Sequence, residues 1–188
     1  MALFFGCDSF QVGSLVQSGR QALLKKNFDE ALGYFEQAAK KDPSYVYQSA
    51  HFSEGIWTYV GRSQYVTGRF QVARQSLELS LKTHPDDHVA RLYLGLALVR
   101  SADAPRGLSE IQNGLQGLFD WIEDIATSRP FEAYWDPNKQ IRNELKKTIA
   151  LIADAKADGA KIIAASEWLG QEIEEEIERA RRDESQQH

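Results

Sequence analysis

The stretch that decides the fold is 57-WTYVGRSQYVTGRFQVARQSLELSLKTHP-85. An aromatic residue is followed by a small residue, a short turn, a second small residue, a large apolar residue and a proline. The residues concerned are Trp57, Gly61, Gly68, Phe70, Ala73, Leu77 and Pro85. Small residues let two helices approach closely, large apolar residues fill the space beside them, and a proline ends the second helix. The stretch therefore predicts two packed helices joined by a tight turn.

Similar patterns precede and follow this stretch when the chain is aligned on Ala31, Ala73 and Gly107. The first block carries Leu15, Gly19, Phe28, Ala31, Phe35, Ala38 and Pro43, and the third carries Leu94, Gly95, Gly107, Ile111 and Gly114. The third block has no closing proline, and its segment Ala104-Pro105-Arg106 predicts a shortened or remodelled turn. Three blocks with similar residue types at similar offsets indicate an internal repeat.

The pattern resembles the tetratricopeptide repeat, whose signature is Trp-x2-Leu-Gly-x2-Tyr, then Ala-x3-Phe, then Pro, with a period of 34 residues. The resemblance covers residues 12–119. It implies an all-α fold, a right-handed α-solenoid of about three helix–turn–helix repeats plus C-terminal capping helices. The expected organisation is an N-terminal arm at 1–11, the repeats at 12–119, and a helical cap with a charged last helix at 120–188.

An insertion separates the first two blocks. Ala73 and Gly107 are 34 residues apart, whereas Ala31 and Ala73 are 42 apart, so eight residues are inserted around positions 44–53. We expect them to extend the first helix of the second repeat by about two turns, with a local loop as the alternative. The rings of Tyr45, Tyr47 and Phe52 are then either an aromatic contact surface or buried against the N-terminal arm.

Helical spacing of apolar residues continues beyond the repeats. It predicts a helix over 115–127, a second helix that begins at Asp136-Pro137 with the aspartate as its cap, and a last helix over about 160–182. A repeat array needs only a polar-faced terminal cap. The residues that follow the repeats and exceed such a cap therefore form either a small appended bundle or a long helix that reaches a partner.

The resemblance also implies where a partner binds, because in this family the first helices of successive repeats line a concave groove. The matching positions give Val16, Arg20, Leu23, Thr58, Arg62, Tyr65, Leu92, Leu96 and Arg100 as groove residues. Arg20 and Arg62 occupy the same repeat position, so they are expected side by side. An apolar groove with two guanidinium groups suits a segment that carries a carboxylate. Solvated or intramolecularly paired arginines are the alternative.

The charge of the chain is distributed unevenly. The protein has 188 residues, with 27 acidic and 22 basic side chains and a net charge of -5, which disfavours a nucleic-acid partner. Residues 167–188 hold eight acidic residues and three arginines, and residues 1–166 have no net charge. The last helix thus carries the whole surplus, and it could dock in the groove of its own or of a neighbouring molecule. We also expect a homo-oligomer through the C-terminal helices.

Catalytic chemistry is not predicted. His84 and His88 lack a third aligned metal ligand, so no metal site is expected, and the carboxylates of Asp120, Glu123 and Asp124 lack a partnered base. Neither a phosphate loop nor a dinucleotide motif is present, and no cofactor is expected.

The expected function is therefore a non-catalytic scaffold that binds a peptide segment or helix of a partner protein in the groove, with a cytoplasmic location. The alternative depends on Cys7, the only cysteine of the chain. If Cys7 is lipidated, the same fold is a membrane-anchored lipoprotein assembly factor of a bacterial envelope. Against this alternative, the apolar stretch before Cys7 is shorter than a signal sequence requires, and no basic residue precedes it.

Overall fold

The structure is a computed structural model that describes residues 5–49, 52–128, 135–154 and 156–186, with side chains from 10 to 183 within those ranges. Helices dominate the described part of the chain. They are α1 (Phe5–Leu24), α2 (Phe28–Lys41), α3 (Ile56–Val66), α4 (Phe70–Thr83), α5 (His88–Arg100), α6 (Ala104–Ser128), α7 (Gln140–Ala153) and α8 (Gly159–Gln186). Each helix packs against its neighbours in the chain, and α8 also contacts α5. Most of the predicted N-terminal arm therefore belongs to α1.

Three helix pairs are joined by turns of the same construction. The turns lie between α1 and α2, between α3 and α4, and between α5 and α6, and each has three residues. Their middle residues Lys26, Gly68 and Ala102 have positive φ angles of 61°, 79° and 67°. The prediction of a shortened or remodelled third turn was wrong. Pro105 lies in the first turn of α6, where a helix does not use the missing N–H group.

The small and large residues of the repeat meet within each helix pair. A Cβ atom on Gly19 would lie 2.5 Å from Phe35 Cε1, and one on Gly61 would lie 2.5 Å from Leu77 Cγ. In the third pair, a Cβ on Gly95 would lie 2.5 Å from the backbone nitrogen of Ile111. Phe35, Leu77 and Ile111 are fully buried. The glycines therefore set the close approach of the paired helices.

The insertion forms a β-hairpin, so the prediction of an extended helix was wrong. Strands β1 (Val46–Ser49) and β2 (Phe52–Gly55) pair in antiparallel orientation, with Tyr47 opposite Glu54 and Gln48 opposite Ser53. Tyr47 and Glu54 are buried and the other pair is exposed, which is the two-residue alternation of a strand. Aromatic and β-branched residues fit such a half-buried strand better than a helix.

The C-terminal part contains the predicted helices. α6 extends through the predicted 115–127 helix, and α7 and α8 follow it. Asp136 accepts hydrogen bonds from the backbone nitrogens of Ile141 and Arg142, each at 3.0 Å, so it does cap α7. The helix begins only at Gln140, however, because Lys139 has a positive φ angle of 57°. None of the described helices is both long and apolar enough to span a membrane.

Candidate helix-binding groove

Helix α8 contacts several of the predicted groove residues. Glu174 of α8 lies between the two predicted arginines: its Oε1 atom is 2.8 Å from Arg20 Nε, and its Oε2 atom is 2.9 Å from Arg62 Nη1. Arg20 belongs to α1 and Arg62 to α3, so one carboxylate joins two successive helix pairs. The three side chains are at most 4 % exposed. Of the two interpretations of the arginines, intramolecular pairing is the one present in the structure.

Further buried groups complete an ionic cluster around Glu174, which we call the Arg–Glu cluster: Arg20, Arg62, Glu54, Glu174 and Glu178. Glu54 of strand β2 lies 3.3 Å from Arg62 Nη1, and Glu178 of α8 lies 3.5 Å from Arg20 Nη1. Arg20 Nη1 also donates a hydrogen bond of 2.6 Å to the hydroxyl of Tyr47. The hairpin, the groove and α8 therefore meet in one buried cluster of polar and charged groups.

The charges of the cluster are balanced through the protonation of Glu54. The pKa of Glu54 is raised to about 8: burial is the largest cause, Arg62 acts to lower the pKa, and Asp87 and Glu174 act to raise it. Burial acts to lower the pKa of Arg62, but Glu54 and Glu174 raise it well above its usual value. At neutral pH, Glu54 is therefore mainly neutral. Two guanidinium groups then face two carboxylates, which limits the cost of burying them.

The opposite end of the α8 contact is more exposed. Glu167 accepts hydrogen bonds from the hydroxyl of Tyr65 and from Arg100 Nη2, the latter at 3.0 Å. Between the two ends, Gly170 lies against Tyr93 of α5, since a Cβ atom there would be 2.6 Å from the tyrosine oxygen. Glu167, Gly170 and Glu174 follow each other at helical spacing, so one face of α8 contacts the groove.

The predicted groove residues divide into two groups. Arg20, Arg62, Tyr65 and Arg100 are brought together by the glutamates of α8. Val16, Leu92 and Leu96 are fully buried core residues. Thr58 faces elsewhere: its hydroxyl donates to Asp87 at 2.7 Å, beside the start of α5. Leu23 is partly buried and lies at the edge of the α8 contact.

The aromatic residues of the insertion do not form an exposed contact surface. Tyr47 and Phe52 are buried, and Tyr45 is partly buried. The ring of Tyr47 lies under the Arg20 guanidinium, with 4.3 Å between the guanidinium carbon and the ring centroid. Phe52 packs against Trp121 of α6. Tyr47 therefore contacts the Arg–Glu cluster, and Phe52 contacts α6.

The contact between α8 and the groove is incompletely packed. A cleft with a volume of about 280 Å³ opens beside it, which we call the α8 cleft; its lining includes Phe28, Tyr65, Val66, Phe70, Tyr93 and Gln171. A smaller cavity continues from it towards Arg62 and Glu174. In addition, the buried Nη2 atom of Arg20 has no hydrogen-bond partner within the described residues. The interface is therefore neither fully packed nor fully satisfied in its polar groups.

The histidines and the cysteine singled out in the sequence lie apart from the Arg–Glu cluster or outside the described side chains. No three His, Cys, Asp or Glu side chains with described positions are grouped so that they could hold a metal ion. Asp87, between the two histidines, caps α5 by accepting a hydrogen bond of 2.8 Å from the backbone nitrogen of Ala90. The side chain of Cys7 lies outside the described residues.

Several residues of the groove were not predicted, namely Glu54, Tyr93, Glu167, Glu174 and Glu178. The glutamates of α8 carried a usable signal, because residues 167, 174 and 178 recur at seven- and four-residue spacing and so share one helix face. Glu54 carried none, since its strand was predicted to be helical. Comparison with known proteins adds no further assignment: no family model, curated protein or solved structure matches the chain.

Proposed function

We propose that this protein is a non-catalytic interaction scaffold of the tetratricopeptide type, a right-handed α-solenoid of about three repeats that binds a helix of a partner protein in its concave groove. The observation that carries the proposal is the position of Glu174, whose carboxylate lies between Arg20 and Arg62. A helix therefore fits this groove, and the two arginines of successive repeats hold its carboxylate. In the closed form described here, that helix is α8.

Binding of a partner requires that α8 leaves the groove, and three features of the contact favour such an exchange. Its centre consists of buried ion pairs, which stabilise a fold less than well-packed apolar residues of similar volume do. One guanidinium nitrogen of Arg20 is unsatisfied, and the α8 cleft is unfilled. The linker between α7 and α8 spans residues 154–158. Because α8 also buries Leu169, Ile173 and Ile177, a partner helix has to replace these apolar contacts as well.

An exchange experiment tests the proposal on the complete chain. A protease recognition sequence is placed in the 154–158 linker and cut, so that α8 remains bound without the covalent link. Cutting removes the high effective concentration that a short linker gives to an intramolecular ligand. A fluorescein-labelled peptide of residues 159–186 is then added, and its fluorescence anisotropy is followed. We expect the labelled peptide to enter the groove as the original α8 leaves.

A matched pair of peptides controls this experiment. The peptide with Glu174→Gln should bind the groove weakly, because it lacks the charge that pairs with both arginines. The peptide with Glu175→Gln should bind like the unchanged peptide, because Glu175 is exposed. A cut protein that never exchanges α8 under native conditions would contradict the proposal. Equal entry of both variants would also contradict it. Entry of α8 from a second copy, seen as dimers of the uncut protein, would identify the partner as the chain itself.

A further inference from the structure

The α8 cleft has the character of a pocket for an apolar side chain. Two tyrosines and two phenylalanines surround Val66, and the ring centroid of Tyr65 lies 5.3 Å from that of Phe70 and 5.7 Å from that of Tyr93. An apolar cavity of roughly 150 Å³ is large enough for a benzene ring. The α8 cleft, with about 280 Å³, is therefore large enough for a leucine or phenylalanine side chain.

Both residues that α8 presents to this cleft, Glu167 and Gln171, are polar. Gln171 lines both the α8 cleft and the smaller cavity beside it, and it is exposed. Its amide forms no hydrogen bond with another described residue. Gln171 follows Glu167 by four positions and precedes Glu174 by three, so it belongs to the groove-facing side of the helix. α8 thus matches the groove in its charges but leaves the neighbouring apolar surface uncovered.

We infer that the partner of the groove is an amphipathic helix that keeps glutamates at the positions of Glu167 and Glu174, a small residue at that of Gly170, and a large apolar side chain at that of Gln171. The glutamates pair with Arg100, Arg20 and Arg62, and the small residue permits the approach to Tyr93. The large side chain fills the α8 cleft. This inference rests on the proposed function, because the partner has to replace α8.

The charged rim of the cleft supports a helix rather than a free apolar molecule as the occupant. Arg100 and Glu167 lie at one end, and Arg62 and Glu174 lie at the end of the adjoining cavity. When a helix forms both ion pairs, an apolar side chain between its two glutamates lies at the cleft. A partner of this kind gains burial of apolar surface that α8 does not gain, and it therefore competes with α8 for the same groove.

The inference is tested with unlabelled competitor peptides of residues 159–186 added to the cut protein loaded with labelled peptide. The peptide with Gln171→Leu should displace the label at about tenfold lower concentration than the unchanged peptide, as expected for burying most of one leucine side chain. The matched control is Lys161→Leu, which adds the same apolar residue at an exposed position of α8 away from the cleft. It should compete like the unchanged peptide.

The outcomes separate the inference from the proposed function. If the unchanged peptide displaces the label but Gln171→Leu competes no better than Lys161→Leu, the inference is wrong and the groove still binds helices. If no peptide displaces the label, the proposed function fails and the inference fails with it. A second measurement uses the uncut chain: Gln171→Leu should raise the urea midpoint of unfolding above that of Lys161→Leu, and equal midpoints would contradict a cleft that accepts leucine.

Discussion

Two kinds of helix contact occur in this molecule, and they are built differently. Within the repeat pairs, a glycine on one helix meets a large apolar residue on the other, as Gly61 meets Leu77. Between the groove and α8, Gly170 meets Tyr93 in the same way, but the Arg–Glu cluster lies beside this contact and the α8 cleft is unfilled. Close apolar packing stabilises a single arrangement. Buried ion pairs stabilise less and depend on charge and pH. The contact of α8 is therefore expected to respond to charge and pH more strongly than the repeat pairs do.

The largest loss of stability is expected from a substitution at the centre of the Arg–Glu cluster. Glu174→Gln leaves Arg20 and Arg62 buried without the carboxylate that joins them, and we expect a loss of about 3 kcal/mol in the free energy of unfolding. Urea unfolding followed by circular dichroism measures it. Glu175→Gln, one residue further along α8 and exposed, should change the free energy by less than about 0.5 kcal/mol. If the two variants are equally stable, the cluster does not hold α8.

The second prediction concerns the pH dependence of the same cluster. Glu54 has a folded-state pKa of about 8, above the ordinary value of 4.5, so the folded protein binds one more proton than the unfolded chain between these values. Its contribution to stability is therefore complete below about pH 4.5 and is lost as the pH rises through 8. Between pH 6 and 8, this one group should lower the free energy of unfolding by about 2 kcal/mol.

Glu54→Gln removes this dependence because glutamine stays neutral. Urea unfolding of the variant between pH 5 and 9 should show a shallower decline than that of the unchanged protein, with the variant relatively more stable at pH 9. Glu175→Gln serves again as the control and should keep the original slope. Parallel curves for the unchanged protein and Glu54→Gln would show that Glu54 is ionised throughout, and the cluster would then carry an excess negative charge.

The repeat pairs provide the third prediction. Gly95→Ala places a methyl group 2.5 Å from the backbone nitrogen of Ile111 and 2.6 Å from the carbonyl oxygen of Gly107, so the helices α5 and α6 have to separate. We expect a loss of about 1 to 2 kcal/mol in the free energy of unfolding. Gly33→Ala in α2 is the matched control, because a Cβ atom there meets nothing within 4 Å. It should stabilise the protein by about 0.5 kcal/mol through its higher helix propensity.

The sequence predicts the repeat pairs well because their determinants are local and repeated. Gly19, Gly61 and Gly95 each precede their large partner by 16 residues, and the chain between them is one turn and parts of two helices. The β-hairpin was missed for the opposite reason. The residues of β2 alternate between buried and exposed over only three positions. Glu54 is buried there through Arg62 and Glu174, which come from α3 and α8.

The groove could be predicted only in part. Arg20, Arg62 and Arg100 follow from their repeat positions, and the acidic surplus of the last helix indicated a charge match. The register of α8 depends on contacts between residues more than a hundred positions apart, such as Arg62 with Glu174. Two of its determinants, the approach of Gly170 to Tyr93 and the cleft beside Gln171, are properties of the packed helices rather than of any sequence pattern.

The smallest effect is expected at the exposed end of the α8 contact. Arg100 and Glu167 form an ion pair of 3.0 Å, but their side chains are 44 % and 32 % exposed. Solvent and salt screen such a pair, so Arg100→Ala should lower the free energy of unfolding by no more than about 0.5 kcal/mol, and 1 M salt should remove most of the difference. Urea unfolding at low and high salt measures both quantities. Because Tyr65 also donates to Glu167, the end of α8 keeps one contact in this variant. If Arg100→Ala lowered the free energy of unfolding as much as Glu174→Gln does, both ends of the contact would stabilise α8 equally. The proposed difference between the buried cluster and the exposed end would then be wrong.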